Sequence, residues 1–436
     1  MIFQNTDKCR NASTHGKICK AASPFFTQYG KFDNLKFQAY ILVTQSITKK
    51  FKMCTKNISL QNTGVLLSFF ILFLSSCSNN GTAEKSSNGD STLMTIDSAN
   101  KKDQQKTELK PAGEKPAWGK NITNPMAVVI EKLVSFGGPA ITTLSAVEAR
   151  KQPSPADAAM AVIKEHNIPV PANNVDTTGK DIPVKSGQIH LRIYTPKTGK
   201  ASYPVIVYYH GGGWVIADLN TYNASAQSLS ALVDAIVVSV AYRQAPEYKF
   251  PVAHNDSYAA YEWTVKNAAS IKGDPKRIAI VGESAGGNLA ASVSMMARDK
   301  GMQLPVHEVL VYPIAGYDFT TPSYKESDST KPLSSGLMKW FFEKYLNSTA
   351  DGKNPMVSLV TANLKGLPPT TIIGAEYDPL RSEGEVLSDN FKKAGVATSY
   401  KLYKGTTHEF FGMAAVVPDA KDAQGFASDE LKKAFH

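Results

Sequence analysis

"RIAIVGESAGGNLAASVSMMA", residues 277–297, changes its periodicity in the middle. Residues 278–281 are a short apolar run, as in a strand buried on both faces. From Asn288 onward the apolar residues recur at helical spacing. The switch falls on Gly282-Glu283-Ser284-Ala285-Gly286, the pattern G-x-S-x-G between a strand and a helix. A serine placed there must sit on a sharp turn to lift its Oγ above the sheet. Small flanking residues relieve the crowding, and the following helix aims its positive end at the turn. The pentapeptide alone carries little; in this context it makes Ser284 a candidate nucleophile.

Working outward, strand-like runs occur at 188–194, 205–209, 236–241, 309–312, 370–373 and 399–403. Helical patterns fill the gaps, notably 254–268, 285–300, 333–347 and 381–394, and no internal repeat is visible. Such alternation predicts an α/β fold with a mostly parallel central sheet flanked by helices. Two stretches stand outside it. Residues 121–165 are helical, with Ser154-Pro155 as a helix start, and 318–356 are polar and then helical around Met338, Trp340, Phe341 and Phe342. Both are expected to form a helical cap over the site.

A serine hydroxyl is a poor nucleophile unless a base takes its proton. Three histidines follow Ser284. His307 begins a strand and reads as structural, and His436 is the last residue. His408, in "YKGTTHEFFG" just after the final strand, is the candidate base. The acid that would orient it should end a strand. Asp378 in "TTIIGAEYDPLRSEG" does so, with Glu376, Glu383 and Asp389 as weaker candidates. Asp378 also suits a helix N-cap before "PLR".

"VYYHGGGWVIAD", residues 207–218, places three glycines straight after β-formers. Backbone N–H groups there can approach an anion closely. A nucleotide phosphate would need a Lys and Ser/Thr after the loop, or G-x-G-x-x-G opening a helix. Neither is present, so a charge that exists only during a reaction is the better reading. Trp214 reads as a wall of the pocket or as a core aromatic at the loop base.

Taken together, "HGGGW" at 210–214, "AYRQAPEYKFP" at 241–251, "GESAGG" at 282–287, and "DPLRSEG" with "HEFFG" at 378–384 and 408–412 resemble the bacterial hormone-sensitive-lipase-like branch of the α/β-hydrolases. The motifs stand in that family's order and cover about 125–436. The resemblance implies ester hydrolysis by a Ser284–His408–Asp378 triad and a cap built partly from N-terminal helices. It implies no metal and no organic cofactor. Gly211, Gly212 and the N–H of Ala285 match the oxyanion hole, and His210 matches a histidine that supports the glycine loop. Gly213 and Trp214 complete the loop and pocket. Three departures are visible: Ala217 where a glycine is frequent, Gln244 where Leu is frequent, and Glu283 where Asp is frequent. The Ala217 change implies a shifted substrate range. Short- to medium-chain esters are expected. Glycan deacetylation, peptide or amide cleavage, and ligand binding on an inactive scaffold are the alternatives.

The chain carries 48 Lys+Arg against 38 Asp+Glu, but residues 1–77 hold 10 of the former and only 2 of the latter. The remainder is nearly balanced, which removes support for a nucleic-acid partner. All four cysteines, Cys9, Cys19, Cys54 and Cys77, also lie in that front segment. The rest of the chain therefore has no disulfide, thiolate metal site or cysteine nucleophile.

From Met53 the sequence reads as an address. A Lys precedes a ten-residue apolar run, 65–74, broken by Ser68 and too short to span a bilayer. "LSSC" then resembles a bacterial lipobox, with Cys77 lipidated after cleavage. The expectation is that 1–52 are a mis-called upstream extension, 53–77 a lipoprotein signal and 78–117 a disordered polar tether. Residues 118–436 are then the folded domain. Ser78 after the Cys leans toward the outer membrane by resemblance to Gram-negative sorting. Oligomeric state is not legible.

Overall fold

The computed structural model describes residues 108–170 and 174–436. The expected signal segment, Cys77 and most of the expected tether lie outside them. The end of that tether is held in place. Ala112 and Gly113 donate their N–H groups to Glu131, 2.9 and 2.8 Å away. Leu109 and Trp118 pack on the core. One carboxylate and two apolar side chains thus order a stretch whose composition read as tether.

Eight strands form one sheet: β1 (Val175–Val184), β2 (Gly187–Pro196), β3 (Tyr203–Tyr209), β4 (Ile236–Ala241), β5 (Gly273–Glu283), β6 (Glu308–Val311), β7 (Thr370–Tyr377) and β8 (Thr398–Thr407). Their order is β1-β2-β4-β3-β5-β6-β7-β8. β2 runs antiparallel to β1 and β4, and the pairs from β4 through β8 are parallel. The helices are α1 (Asn124–Ser135), α2 (Ala146–Ala149), α3 (Pro155–Glu165), α4 (Asn223–Val233), α5 (Val252–Asn267), α6 (Ala285–Asp299), α7 (Pro322–Glu326), α8 (Ser335–Tyr345), α9 (Arg381–Lys393) and α10 (Pro418–Phe435). Among the described residues no helix is long and apolar enough to cross a membrane.

Side chains alternate across a strand, so a sheet buried on both faces feeds two cores. Val205, Val207 and Tyr209 of β3 join one core with residues of α5, α6, α8 and α9. Ile206 and Tyr208 join the other with residues of α1, α3, α4 and α10. The start of α3 follows the expected Ser154, which accepts from the Asp157 N–H in a reciprocal capping box. Two helices that the apolar spacing did not single out, α4 and α10, complete the second face. β1 was also not anticipated. It is an edge strand, mostly exposed and interrupted by Gly179 and Pro183, so it carries no buried-face pattern.

Register brings the strand ends level. Tyr209 pairs with Gly282, Glu283 with Val311, and Tyr377 with Thr407. The loops after β3, β5, β7 and β8 therefore emerge at one edge.

The β5–α6 joint is packed backbone to backbone. A β-carbon on Gly286 would collide with the carbonyls of Tyr209 and His210. Neither can swing away as a side chain would. Gly286→Ala should cost about 1–3 kcal/mol or more, read as a lowered denaturation midpoint. An unchanged midpoint would contradict this packing.

Candidate active site

Ser284 links β5 to α6 with φ +57° and ψ −117°, a conformation that L-residues resist. Its N–H donates to the Val311 carbonyl at 2.9 Å. A β-carbon at Gly282 would strike the Gly286 carbonyl. The side chain is buried at the turn, 4% exposed, ahead of the first turn of α6.

His408 follows β8 directly. Ser284 Oγ lies 2.9 Å from its Nε2, and its Nδ1 lies 2.7 Å from Asp378 Oδ2. A carboxylate can only accept, so Nδ1 carries the hydrogen and Nε2 accepts from the serine. Asp378 follows β7 and uses its other oxygen to accept from the Leu380 N–H at 2.8 Å. One oxygen closes a local turn and the other orients the histidine; α9 begins at Arg381 with Leu380 as its N-cap residue and no side-chain cap bond, so Asp378 does not cap that helix. Burial pushes the His408 imidazole down, but the Asp378 carboxylate, and then Glu409 and Glu283, outweigh it and hold the pKa above 6.5.

The other candidates are engaged elsewhere. His307 Nε2 meets Thr371 Oγ1 at 2.9 Å, and His436 is exposed at the end of the chain. Glu376 accepts from the Gly405 N–H and Glu383 from the Ala315 N–H. Asp389 is exposed on α9.

Each glycine of the loop after β3 answers a different neighbour. A β-carbon on Gly211 would strike the Tyr222 hydroxyl, on Gly212 the Ile216 carbonyl, and on Gly213 the Phe341 ring. Gly212 and Gly213 also hold φ +93° and +58°. Among the described residues, neither Gly211 nor Gly212 donates its N–H to a protein acceptor. Ala285 is buried as the first residue of α6, where N–H groups have no partner within the helix. His210 is buried beneath the loop. Its Nδ1 lies 2.9 Å from the Gly211 carbonyl, and its ring stacks on Tyr242 at 4.4 Å. Burial lowers its pKa to about 4, so it stays neutral.

The departures at 217 and 244 act on one turn. Ala217 takes φ +66°. The Gln244 amide donates to the carbonyls of Ile216 and Ala217, at 2.8 and 2.9 Å. A leucine at 244 could make neither bond. Ala217 abuts Gly212, whereas Ile216 faces the cavity.

The cavity, of about 310 Å³, contains Ser284, His408, Gly212, Gly213 and Glu409. Its walls come from residues 133–155, with Val134 and Phe136 exposed, and from Leu333, Leu337 and Phe341. Trp214 corrects an expectation: its side chain is not in these walls. It is fully buried behind the loop, stacked on Tyr345 at 4.4 Å and tilted against Phe342. Its positive φ of 60° turns the ring into the core.

Residues to which the sequence assigns no catalytic role also shape the site. Arg150 donates to the carbonyls of Val215 and Ala245 and pairs with Glu247 at 2.7 Å, clamping the glycine-loop turn. Glu283 is buried between the hydroxyls of Tyr208 and Tyr312, 2.5 and 2.6 Å away. Burial pushes its pKa up to about 7. Glu409 accepts from the Tyr222 hydroxyl. In the sequence Glu283 stands out as a departure and Glu409 lies within "HEFFG", whereas the tyrosines carry no local signal.

A serine on a strand–helix elbow, a paired histidine and a free glycine-loop N–H define a serine hydrolase class of site. The α/β hydrolase fold family matches residues 206–412. A carboxylesterase of Mycobacterium tuberculosis is 38% identical over 252 residues, covering 57% of this chain and 79% of that protein. An arylesterase of Saccharolobus solfataricus is 34% identical over 244 residues, covering 54% and 78%. Among solved structures, a thermostable esterase from Pseudomonas putida superposes with a TM-score of 0.66 at 31% identity. That match covers 72% of this chain and 98% of the other. The chain belongs to the α/β hydrolase family.

The stacking of Trp214 assigns it to stability. Trp214→Ala should lose about 3–5 kcal/mol on chemical denaturation. A loss below 1 kcal/mol would return it to the cavity wall.

Proposed function

We propose that this chain is a serine carboxylesterase acting on short- to medium-chain esters, held at an extracytoplasmic membrane surface by a lipid on Cys77. The chain is a carboxylic ester hydrolase. The observation that carries its mechanism is the unbroken line from Asp378 through His408 to Ser284 beside the glycine loop.

Ser284 Oγ attacks the ester carbonyl carbon while His408 Nε2 takes its proton. The carbonyl oxygen becomes an oxyanion facing the N–H groups of Gly211, Gly212 and Ala285. The intermediate collapses, His408 protonates the leaving alcohol, and the acyl group stays on Ser284. Water then attacks with His408 as base, and the acid departs. Asp378 orients the imidazole and stabilises its charged form without taking the proton. Segments 121–165 and 318–356 act as the cap, and the cavity's modest volume and largely apolar lining suit short acyl groups.

The test is turnover of p-nitrophenyl acetate through decanoate by wild type and Ser284→Ala. Wild type should be fastest on the shorter chains. Ser284→Ala should lose a factor of about 10⁴ or more in kcat. Because His408 must be neutral to act as base and its pKa is raised, kcat/KM should fall as pH drops through a value above 6.5. Serine-independent turnover would defeat the proposal.

The anchor rests on "LSSC" at the end of the apolar run 65–74. Several acyl chains, each CH₂ contributing about 0.8 kcal/mol, would hold the domain stably. Mass spectrometry of the mature N-terminus should find acylated Cys77, and fractionation should place the protein in the outer membrane. An unmodified terminus elsewhere would sink the anchor and leave the esterase standing.

A further inference from the structure

We infer that Glu409 is a positioning residue for the reaction: a second carboxylate on the reactive imidazole that also ties the base loop to the glycine loop. The inference rests on the esterase reading above.

Glu409 follows His408 with φ +70°, a left-handed conformation rare for glutamate. That turn brings its side chain back beside the histidine it follows. Its carboxylate lies 3.9 Å from His408 Nε2, the nitrogen that exchanges a proton with Ser284. Asp378 sits at the opposite nitrogen. The imidazole therefore has a carboxylate at each end. At 3.9 Å Glu409 does not hydrogen-bond and does not compete for the Ser284 proton. Its charge still stabilises the imidazolium that forms in both halves of the reaction.

The second half of the inference is mechanical. The Glu409 carboxylate accepts from the Tyr222 hydroxyl. Tyr222 stands at the start of α4, and its hydroxyl fills the space beside Gly211. The bond thus joins the loop carrying the base to the loop carrying the free N–H groups.

His408 faces Asp378, Glu409 and Glu283, with the Tyr312 ring 4.5 Å away. Glu409 faces His408, Tyr222 and the Glu283 carboxylate, with Asp378 and the hydroxyls of Tyr208, Tyr242 and Tyr312 around it. Lys331 lines the same cavity. No lysine or arginine among the described residues forms an ion pair with Glu409. Burial raises the Glu409 pKa and His408 lowers it, so the two titrations are linked.

Glu409→Gln keeps the size and the acceptor for Tyr222 while removing the charge. Glu409→Asp keeps the charge, and Tyr222→Phe cuts the tie. The readout is kcat and kcat/KM against pH with p-nitrophenyl butyrate, with thermal melts as the check on folding. Glu409→Gln should move the acid limb down by roughly half a pH unit or more and lower kcat several-fold. Glu409→Asp should leave the limb near the wild-type position. Tyr222→Phe should lower kcat with a smaller shift of the limb. A limb unmoved by Glu409→Gln, or moved equally by Glu409→Asp, overturns the inference. A wild-type protein without Ser284-dependent ester turnover would instead defeat the esterase reading.

Discussion

The site depends on one constrained residue, Ser284, whose φ of +57° turns the chain from β5 into α6. Such a conformation costs of order 1–3 kcal/mol and persists only where the surroundings over-determine it. Here they do. The Ser284 N–H is bound to Val311, the neighbouring strand's last residue. Gly282 and Gly286 leave no room for side chains, so the strand, the turn and the helix touch through backbone. Relaxing the serine would require moving β3, β5 and α6 together.

The partners of Ser284 come from distant sequence, and the parallel sheet makes their meeting unavoidable. Parallel strands with level ends deliver their following loops to one edge. Asp378 and His408 are 30 residues apart, yet the preceding pair, Tyr377 and Thr407, faces across β7 and β8. The glycine loop arrives in the same way, because Tyr209 is in register with Gly282. The two cores on either face hold this register, since a slip of one residue would turn each strand's apolar set to the wrong face.

How much of this was legible follows from how each feature is encoded. The elbow, the candidate base and the strand-ending acid carry local signals: a change of period, a residue type, a place in the alternation. The central strands β3 to β6 show as apolar runs because their paired segments are buried on both faces, while β2, β7 and β8 show through β-prone residues interleaved with polar ones. β1 shows neither signal, because it is almost wholly exposed and is interrupted by Gly179 and Pro183. Position in a motif could not choose between the two readings of Trp214, because it says nothing of where a ring points; the ring is the core aromatic, stacked on Tyr345. Gln244 and Arg150 act by reaching backbone carbonyls, and Tyr222 by reaching a loop nearly two hundred residues away. Such contacts are products of the fold and leave no periodic trace. Ala217 touches the glycine loop, and Gln244 holds the turn's carbonyls, so the two departures act together on the loop's shape.

The electrostatics explain why the proposed chemistry uses backbone N–H groups for its anion. Asp378, Glu409 and Glu283 crowd one imidazole, and among the described residues Lys331 is the one lysine or arginine in the cavity lining. A cation placed at the oxyanion would pair with these carboxylates instead and lower the basicity of His408. Backbone amides and the N-terminal end of α6 offer positive potential without a mobile charge. They also cannot rotate toward Glu409. The tyrosines serve the same separation: their hydroxyls hold Glu283 and Glu409 in place as neutral donors. Negative charge can then flank the base, Asp378 at Nδ1 and Glu409 on the Nε2 side, while the N–H groups of the glycine loop remain open to a second anion.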